Sequence, residues 1–431
     1  MKIKKQALNN AIELVLIIIF FTLSLINVPF FLLSLLMSVI LIFKQRGLGI
    51  LKLIIILVFR YVLSEGLDNL SDTALVPVFK YFMLLGIAPL YLIYNYKILM
   101  EDKFFIKFLK ITSSTMILFI FISFIGTDYY VMSFLKTLNY FVPLLIIVSL
   151  ITLISEKEKF LFWFSNIFKI MICISLLLIK SPIGYLRNGF SFQGILNHPN
   201  LFGIILVLGI LTILIEMAVK NKISIMNIII VLLGVYELIL SNSRTSLLSF
   251  VVCLIIFFMF SNIKKSIKII SIITTFLIGI LVYIIPTTNN FITNYIQKGQ
   301  NSDEILLSRY GQIDNTLYVL QNSPVFGIGF GIPVNRTSLE LNSFTYEAGN
   351  LFFGLLSYVG ILGLCIYIFY LIYVIFIQKS INNLMLSLFL GSILINMGEL
   401  VMFSSNNVGI ICYVIWGIYI QESMRTQNEN I

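Results

Sequence analysis

Apolar runs of about 15 to 25 residues recur from one end of the chain to the other, the length at which a helix crosses the hydrocarbon core of a bilayer. Short polar stretches separate them. Read in order, the runs place spans near 11–27, 28–43, 49–64, 74–95, 111–126, 132–153, 160–179, 200–218, 224–241, 245–261, 267–285, 349–377, 381–402 and 407–421. The pattern predicts an all-α polytopic membrane protein of about fourteen transmembrane helices, with residues 1–431 forming a single transmembrane domain. The first run passes directly into a second, divided near Pro29. No small-residue cleavage site stands out after it, so the first span is expected to be uncleaved.

Charge orients these spans. With the N-terminus inside, nineteen of the 29 Lys and Arg residues fall in inner segments, six in outer loops and four within spans. The excess of inner cations predicts cytoplasmic termini. The six outer cations are Lys180, Arg187, Arg244, Lys298, Arg309 and Arg336, and Arg60, Lys80, Lys136 and Lys169 lie within spans. Four of the chain's seven arginines thus sit on the face that the positive-inside bias disfavours. Fixed cations held against that bias suggest an anionic ligand met at the outer face.

One outer segment, residues 286–348, is much longer than the rest. It carries Lys298, Arg309 and Arg336 against five carboxylates. Within it an amphipathic helix is expected near 303–321. Ser302 would cap it, and Asp303 and Glu304 would sit in its first turn, where the helix dipole favours them. Leu306, Tyr310, Ile313, Leu317 and Leu320 make its apolar stripe, and Arg309, Gln312 and Thr316 a neighbouring polar one. Such a helix is expected on the membrane surface or over a cavity.

Composition narrows the chemistry. The chain is 59% apolar and 11% charged, far from a soluble domain. Its basic excess reads as topology signal, not as a nucleic-acid site. Cys173, Cys253, Cys365 and Cys412 lie far apart in apolar spans, which argues against a disulfide framework or thiolate metal site. His198 is the only histidine, and there is no Asp-x-Asp pair of the kind a metal-bound nucleotide sugar would need.

Four constellations remain. Arg187-Asn188-Gly189-Phe190 leads to Gly194 and Asn197-His198-Pro199-Asn200, where Pro199 suits the first turn of an outward-starting helix. His198 is either a cap or a ligand-binding group. Ser241-Asn242-Ser243-Arg244-Thr245 repeats that arrangement before the tenth span. Orphan N–H groups, the helix dipole and a guanidinium together suit a phosphate, while an Arg that snorkels to lipid headgroups is the plainer alternative. Arg309 leads to Pro324-Val325-Phe326-Gly327-Ile328-Gly329-Phe330-Gly331. No strand precedes these glycines, so they read as a tight backbone turn against the bundle and not as a nucleotide fingerprint. Finally, Tyr346-Glu347-Ala348-Gly349-Asn350 opens the twelfth span. Glu347 there is either an ordinary N-terminal helix charge or a general base beside a bound sugar. Glu237 and Glu399 fall inside predicted spans, where a carboxylate is costly and leans functional, unless it pairs with Lys80, Lys136 or Lys169. Asp68 and Asp72 are expected in a solvated outer loop.

This ordered set resembles the O-antigen polymerase and O-antigen ligase superfamily over about residues 180–370. The resemblance rests on Arg187 to Gly203, the Ser243-Arg244 pair, the Arg309 helix ending in Ser-Pro-x-x-Gly-x-Gly-x-Gly, and the polar motif before a Gly-rich span. It implies a GT-C-like glycosyltransferase bundle in the bacterial cytoplasmic membrane with an outward-facing site. It implies a metal-independent enzyme without cofactor, acting on polyprenyl-pyrophosphate-linked oligosaccharide as donor and acceptor. Arg187, Arg244 and Arg309 would hold the pyrophosphate with His198, Asn200 and Ser243, and Glu347 would be the base. A chain-length regulator and a flippase are the implied partners, and no nucleic acid. The ligases carry a His-Asn motif where this chain has Glu347-Ala348-Gly349-Asn350, so the resemblance favours a polymerase of the Wzy type over a ligase. The rival class is a flippase or exporter of lipid-linked sugars. Against it stand the lack of an internal repeat and the long outer segment with its Arg-bearing helix.

Overall fold

Every regular element in the described part of the chain is a helix. The structure is a computed structural model that describes residues 15–16, 19–20, 22–68, 74–222, 224–261, 307–334, 349–377, 383–405 and 407–428. The span expected at 267–285, the Ser302 cap, Asp72, Arg336 and Glu347 lie outside these residues.

The helices, in chain order, are α1 (Val28–Gln45), α2 (Gly47–Tyr61), α3 (Leu75–Tyr94), α4 (Tyr96–Glu101), α5 (Lys103–Gly126), α6 (Tyr130–Thr152) and α7 (Lys157–Leu176). After these come α8 (Pro199–Val219), α9 (Ile225–Leu240), α10 (Arg244–Phe260), α11 (Leu307–Asn322), α12 (Leu351–Phe376), α13 (Asn383–Leu394) and α14 (Gly409–Asn428). Among the described residues, seven helices are long and apolar enough to cross a membrane, and α9, α10, α13 and α14 contain shorter apolar stretches. α3 is interrupted by a π turn at Phe82–Ile87. α5 begins at Lys103, ahead of its expected start, because Asp102 caps it by accepting the N–H groups of Phe104 and Phe105, each at 2.9 Å.

α8 is the central post. It is apolar on every side, as a helix enclosed by others must be, and touches α7, α9, α10 and α13. Gly209 admits the ring of Phe168 from α7. At its C-terminal end Glu216 receives Lys169 at 2.6 Å, Ser165 at 2.6 Å and Lys220. Lys169 is therefore committed to Glu216, and not to Glu237 or Glu399. Lys80 donates to the backbone carbonyl of Ser405 at 3.2 Å and lies over the rings of Tyr61 and Tyr81.

Asp68 departs from expectation. It is buried, not solvated, and forms a two-pronged ion pair with the equally buried Arg60. Arg60 also donates to Ser24 Oγ at 3.0 Å and to the Ser24 carbonyl at 2.9 Å. A guanidinium in a span needs its donors satisfied, and the loop after α2 folds back to do so.

α12 is broken at Gly360, which has φ 66° and ψ −168°. A break in a spanning helix strands backbone groups that lipid cannot satisfy. The glycine segment fills it. Ile328 and Gly329 donate to the carbonyls of Ser357 and Tyr358 at 3.0 and 2.9 Å. Ile361 and Leu362 donate to the carbonyls of Pro324 and Val325 at 2.9 and 3.3 Å. These four bonds to the inserted strap stand in for the helical ones that the break removes. The strap turns through Gly327 (φ 68°) and Gly329 (φ 100°), a backbone region that L side chains rarely enter. Phe330 anchors it, buried against Phe119, Tyr140, Tyr358 and Phe403 at ring separations of 5.5, 6.2, 5.8 and 5.1 Å. The glycines thus form the tight turn against the bundle that their sequence suggests.

The strap holds α11 against α12. Tyr310 and Leu317 of the apolar stripe are exposed, while Thr316 of the polar stripe is buried and receives a hydrogen bond from Ser357 at 3.0 Å. The space beside Gly349 is taken by Gln312. Hydrophobic periodicity separates two faces, but beside a membrane the apolar face can turn outward and the polar one toward protein.

Candidate functional site

Three helices begin close to one another, and each start is fixed by its own sequence. α8 opens at Pro199, whose missing N–H costs nothing at a first turn. His198 caps it in extended conformation, its Nδ1 accepting the Asn200 N–H at 3.1 Å. α10 opens at Arg244 after a turn through Asn242, whose φ of 53° is left-handed. Ser243 Oγ turns inward to donate to Ser246 Oγ at 2.8 Å and packs on Gly203 of α8. α12 opens at Leu351, capped by Asn350 Oδ1, which accepts from Phe352 and Phe353 at 2.9 and 3.3 Å. Each start leaves backbone N–H groups and the positive end of a helix dipole facing the same side.

A single turn ties the three starts together. α13 ends at Leu394 and a 3₁₀ turn at Ile395–Met397, earlier than the run of apolar residues predicts. Met397, Gly398 and Glu399 each meet a different helix start. The Met397 carbonyl accepts Asn350 Nδ2 at 2.8 Å. Gly398 lies against Thr245, whose Oγ1 and Cβ fill the space a Cβ would need. Glu399 Oε1 accepts Asn200 Nδ2 at 2.5 Å. Asn396 holds the turn rigid: its Oδ1 accepts the N–H groups of Val401 and Met402 at 2.9 and 2.8 Å, and its Nδ2 donates to Ser392 at 2.7 Å. Glu399 is therefore neither within a span nor paired to a span lysine. It sits half-buried at the meeting point of α8, α10 and α12.

The segment before α8 is fastened from several sides. Its backbone bridges α2's end at Leu63 and Leu196, and Asn197 donates to Val62 at 2.9 Å. Phe192 donates to the Leu240 carbonyl at 3.0 Å, and Asn242 Nδ2 to Ser191 Oγ at 3.4 Å. The Arg187 and Arg244 motifs thus lie on adjoining segments. The Arg187 side chain is exposed, and its backbone N–H donates to Gln193 Oε1 at 2.8 Å. Arg244 is half-buried. Arg309 lies on α11 one turn before Gln312, on the stripe that continues to Thr316. Glu347 and Arg336 fall outside the described residues.

Of the proposed residues, Asn200, Ser243 and Arg244 gather around the Met397–Glu399 turn or directly beside it, with His198 at the same helix start. Arg187 is placed on the neighbouring loop. Sequence reasoning marks Glu399 as leaning functional but places it within a span, and so does not bring it to these helix starts. The signal available in sequence is Asn396 and Gly398, which together stop a helix and shape a turn. Glu237 is the other carboxylate of note: it is wholly buried on α9, and neither oxygen has a hydrogen-bond partner among the described residues. Among those residues no three of His, Cys, Asp and Glu gather into a metal-ligand set.

No curated protein matches the chain. A family model described as O-antigen ligase matches residues 229–368, from α9 to α12, a stretch that contains Arg244, Arg309 and the strap. Over that stretch the chain, which has several helices apolar enough to span a membrane, is similar to the O-antigen ligase family.

Proposed function

We propose that the chain is a polysaccharide polymerase that joins polyprenyl-pyrophosphate-linked repeat units on the outer face of the bacterial cytoplasmic membrane. It would do so within a bundle of about fourteen spans of the GT-C-like kind, residues 1–431 forming one transmembrane domain and 286–348 its large outer segment. Both termini are cytoplasmic in this reading. In each turnover the bond between the growing glycan and its pyrophosphate breaks. A hydroxyl at the non-reducing end of the next lipid-linked unit forms the new glycosidic bond. The carrier leaves as polyprenyl pyrophosphate, and its developing negative charge calls for fixed cations.

The observation that carries the reading is the meeting of three helix starts beside Arg244. Backbone N–H groups, dipole ends and a guanidinium aimed at one place suit a pyrophosphate. Arg244 and Arg309 would stabilise the leaving group, with Arg187, His198, Asn200 and Ser243 lining the carrier's head and first sugars. A carboxylate must take the proton of the attacking hydroxyl, and Glu347 is a candidate by its place at the start of α12. A chain-length regulator and a flippase are the partners this activity would need. The choice of polymerase over ligase rests on Glu347-Ala348-Gly349-Asn350, where the ligases have a His-Asn pair.

Arg244→Ala tests the assignment in cells. Loss of one transition-state cation is expected to lower turnover by about 10²–10³-fold. Long polymer should disappear while single repeat units remain accessible at the outer face. Unchanged long polymer would overturn the pyrophosphate role. Units trapped inside would point to a flippase, and polymer made but unattached to a ligase.

A further inference from the structure

We infer that Glu399 is a catalytic carboxylate of this site, accepting the proton of the attacking sugar hydroxyl, with Asn200 as its positioning residue. The inference rests on the polymerase reading for its substrate and deepens it. It concerns a residue beyond the stretch matched by the family model.

The placement is specific. Met397, Gly398 and Glu399 each touch one of the three outward helix starts, so Glu399 sits where α8, α10 and α12 converge. Its neighbour Gly398 packs on Thr245, the residue after Arg244, so carboxylate and guanidinium arise from touching segments. One oxygen is committed: Oε1 accepts Asn200 Nδ2 at 2.5 Å. Oε2 has no hydrogen-bond partner among the described residues, and the side chain is half-buried, not sealed. A carboxylate used only to stitch helices would be expected to have both oxygens committed, as Asp68 does with Arg60 and Glu216 with its two lysines.

The turn itself is pre-organised. Asn396 uses three hydrogen bonds to fix 396–402, and the Val401 N–H donates to the Glu399 carbonyl at 2.9 Å. Such a site holds a base still while the substrate comes to it. The step balances without a co-reactant. The acceptor O–H bond breaks and its proton passes to Oε2, its oxygen bonds to the donor's anomeric carbon, and the electron pair of the broken C–O bond leaves on the pyrophosphate.

The test uses purified full-length protein in liposomes with one lipid-linked repeat unit, reading both polyprenyl pyrophosphate release and the product ladder. Glu399→Gln keeps an oxygen to accept the Asn200 N–H but cannot take a proton. It is expected to lower the saturated release rate by about 10²-fold or more, with KM for the repeat unit little changed and thermal unfolding unaltered. Glu399→Asp should recover part of the rate. Asn200→Ala should lower the rate less than Glu399→Gln does. Wild-type rates in Glu399→Gln would overturn the inference, as would a loss confined to KM or one accompanied by unfolding. A parallel Glu347→Gln variant reports on the other carboxylate: equal or larger loss there, with Glu399→Gln active, assigns the base to Glu347. The polymerase reading is judged separately by the wild-type ladder, because a single transfer also releases the carrier and still ranks the variants.

Discussion

Gly327→Ala should open the strap that mends α12. An ideal Cβ at Gly327 would stand 2.6 Å from the Ser357 carbonyl oxygen and 2.7 Å from the Gly360 nitrogen. Both are backbone atoms, so no rotamer change relieves the overlap. The native φ of 68° adds a penalty of about 1–2 kcal/mol for an L side chain. Displacing the strap puts at risk the four hydrogen bonds across the Gly360 break, each worth about 0.5–1.5 kcal/mol net. Losing two of them brings the local cost to about 2–5 kcal/mol. That is enough to release a segment without unfolding the bundle. Hydrogen exchange read by mass spectrometry reports it directly. Peptides containing Ile328, Gly329, Ile361 and Leu362 should exchange about 30-fold to 4 × 10³-fold faster, at 1.4 kcal/mol per decade. Gly189→Ala is the control. Its φ is 78°, but nothing lies within 4 Å of the added methyl, so strap exchange should stay at the wild-type rate. Wild-type protection of those peptides in Gly327→Ala would refute the account of the strap as a backbone repair.

Asp68→Ala leaves the Arg60 guanidinium buried without its carboxylate and should cost about 3–5 kcal/mol, read as a lower thermal midpoint in detergent; an unchanged midpoint would show that Ser24 alone suffices. Thr316→Val removes the acceptor of the buried Ser357 hydroxyl and should cost about 1–3 kcal/mol, loosening α11 in the same exchange experiment; unaltered protection of the α11 peptides would count against the Ser357–Thr316 bond as what fastens α11. In a background lacking the native cysteines, Phe190→Cys should react with a membrane-impermeant maleimide in intact cells, and Lys222→Cys only after permeabilisation. The opposite pattern would invert the topology.

The helices legible in sequence are those whose ends carry their own signals. Pro199 after His198, Ser243 before Arg244, and Asn350 before Leu351 each announce a start, and the long apolar runs define the helix bodies behind them. The end of α13 is different. The apolar run continues past it, and the helix stops because Asn396 turns its side chain onto the backbone of Val401 and Met402. In sequence, Glu399 therefore reads as part of a span. Asp68 misleads for a related reason. Its partner Arg60 lies only eight residues away, but the pairing depends on a loop that folds back into the bundle. The break at Gly360 and the strap that fills it are separated by about thirty residues of chain, and neither half signals the other. Among the site residues, the clustering of Asn200, Ser243 and Arg244 arises from adjacent helix starts. The turn that joins them is a tertiary feature with no local pattern.

Reconstitution measures the central claim most directly. Wild-type protein in liposomes, given a single purified lipid-linked repeat unit and no other enzyme, should yield a ladder of products differing by one repeat, with one carrier pyrophosphate released per rung. Arg244→Ala should abolish the ladder while the protein stays folded. A wild-type reaction that gives no ladder, or that moves the repeat unit across the membrane without joining it, would contradict the account.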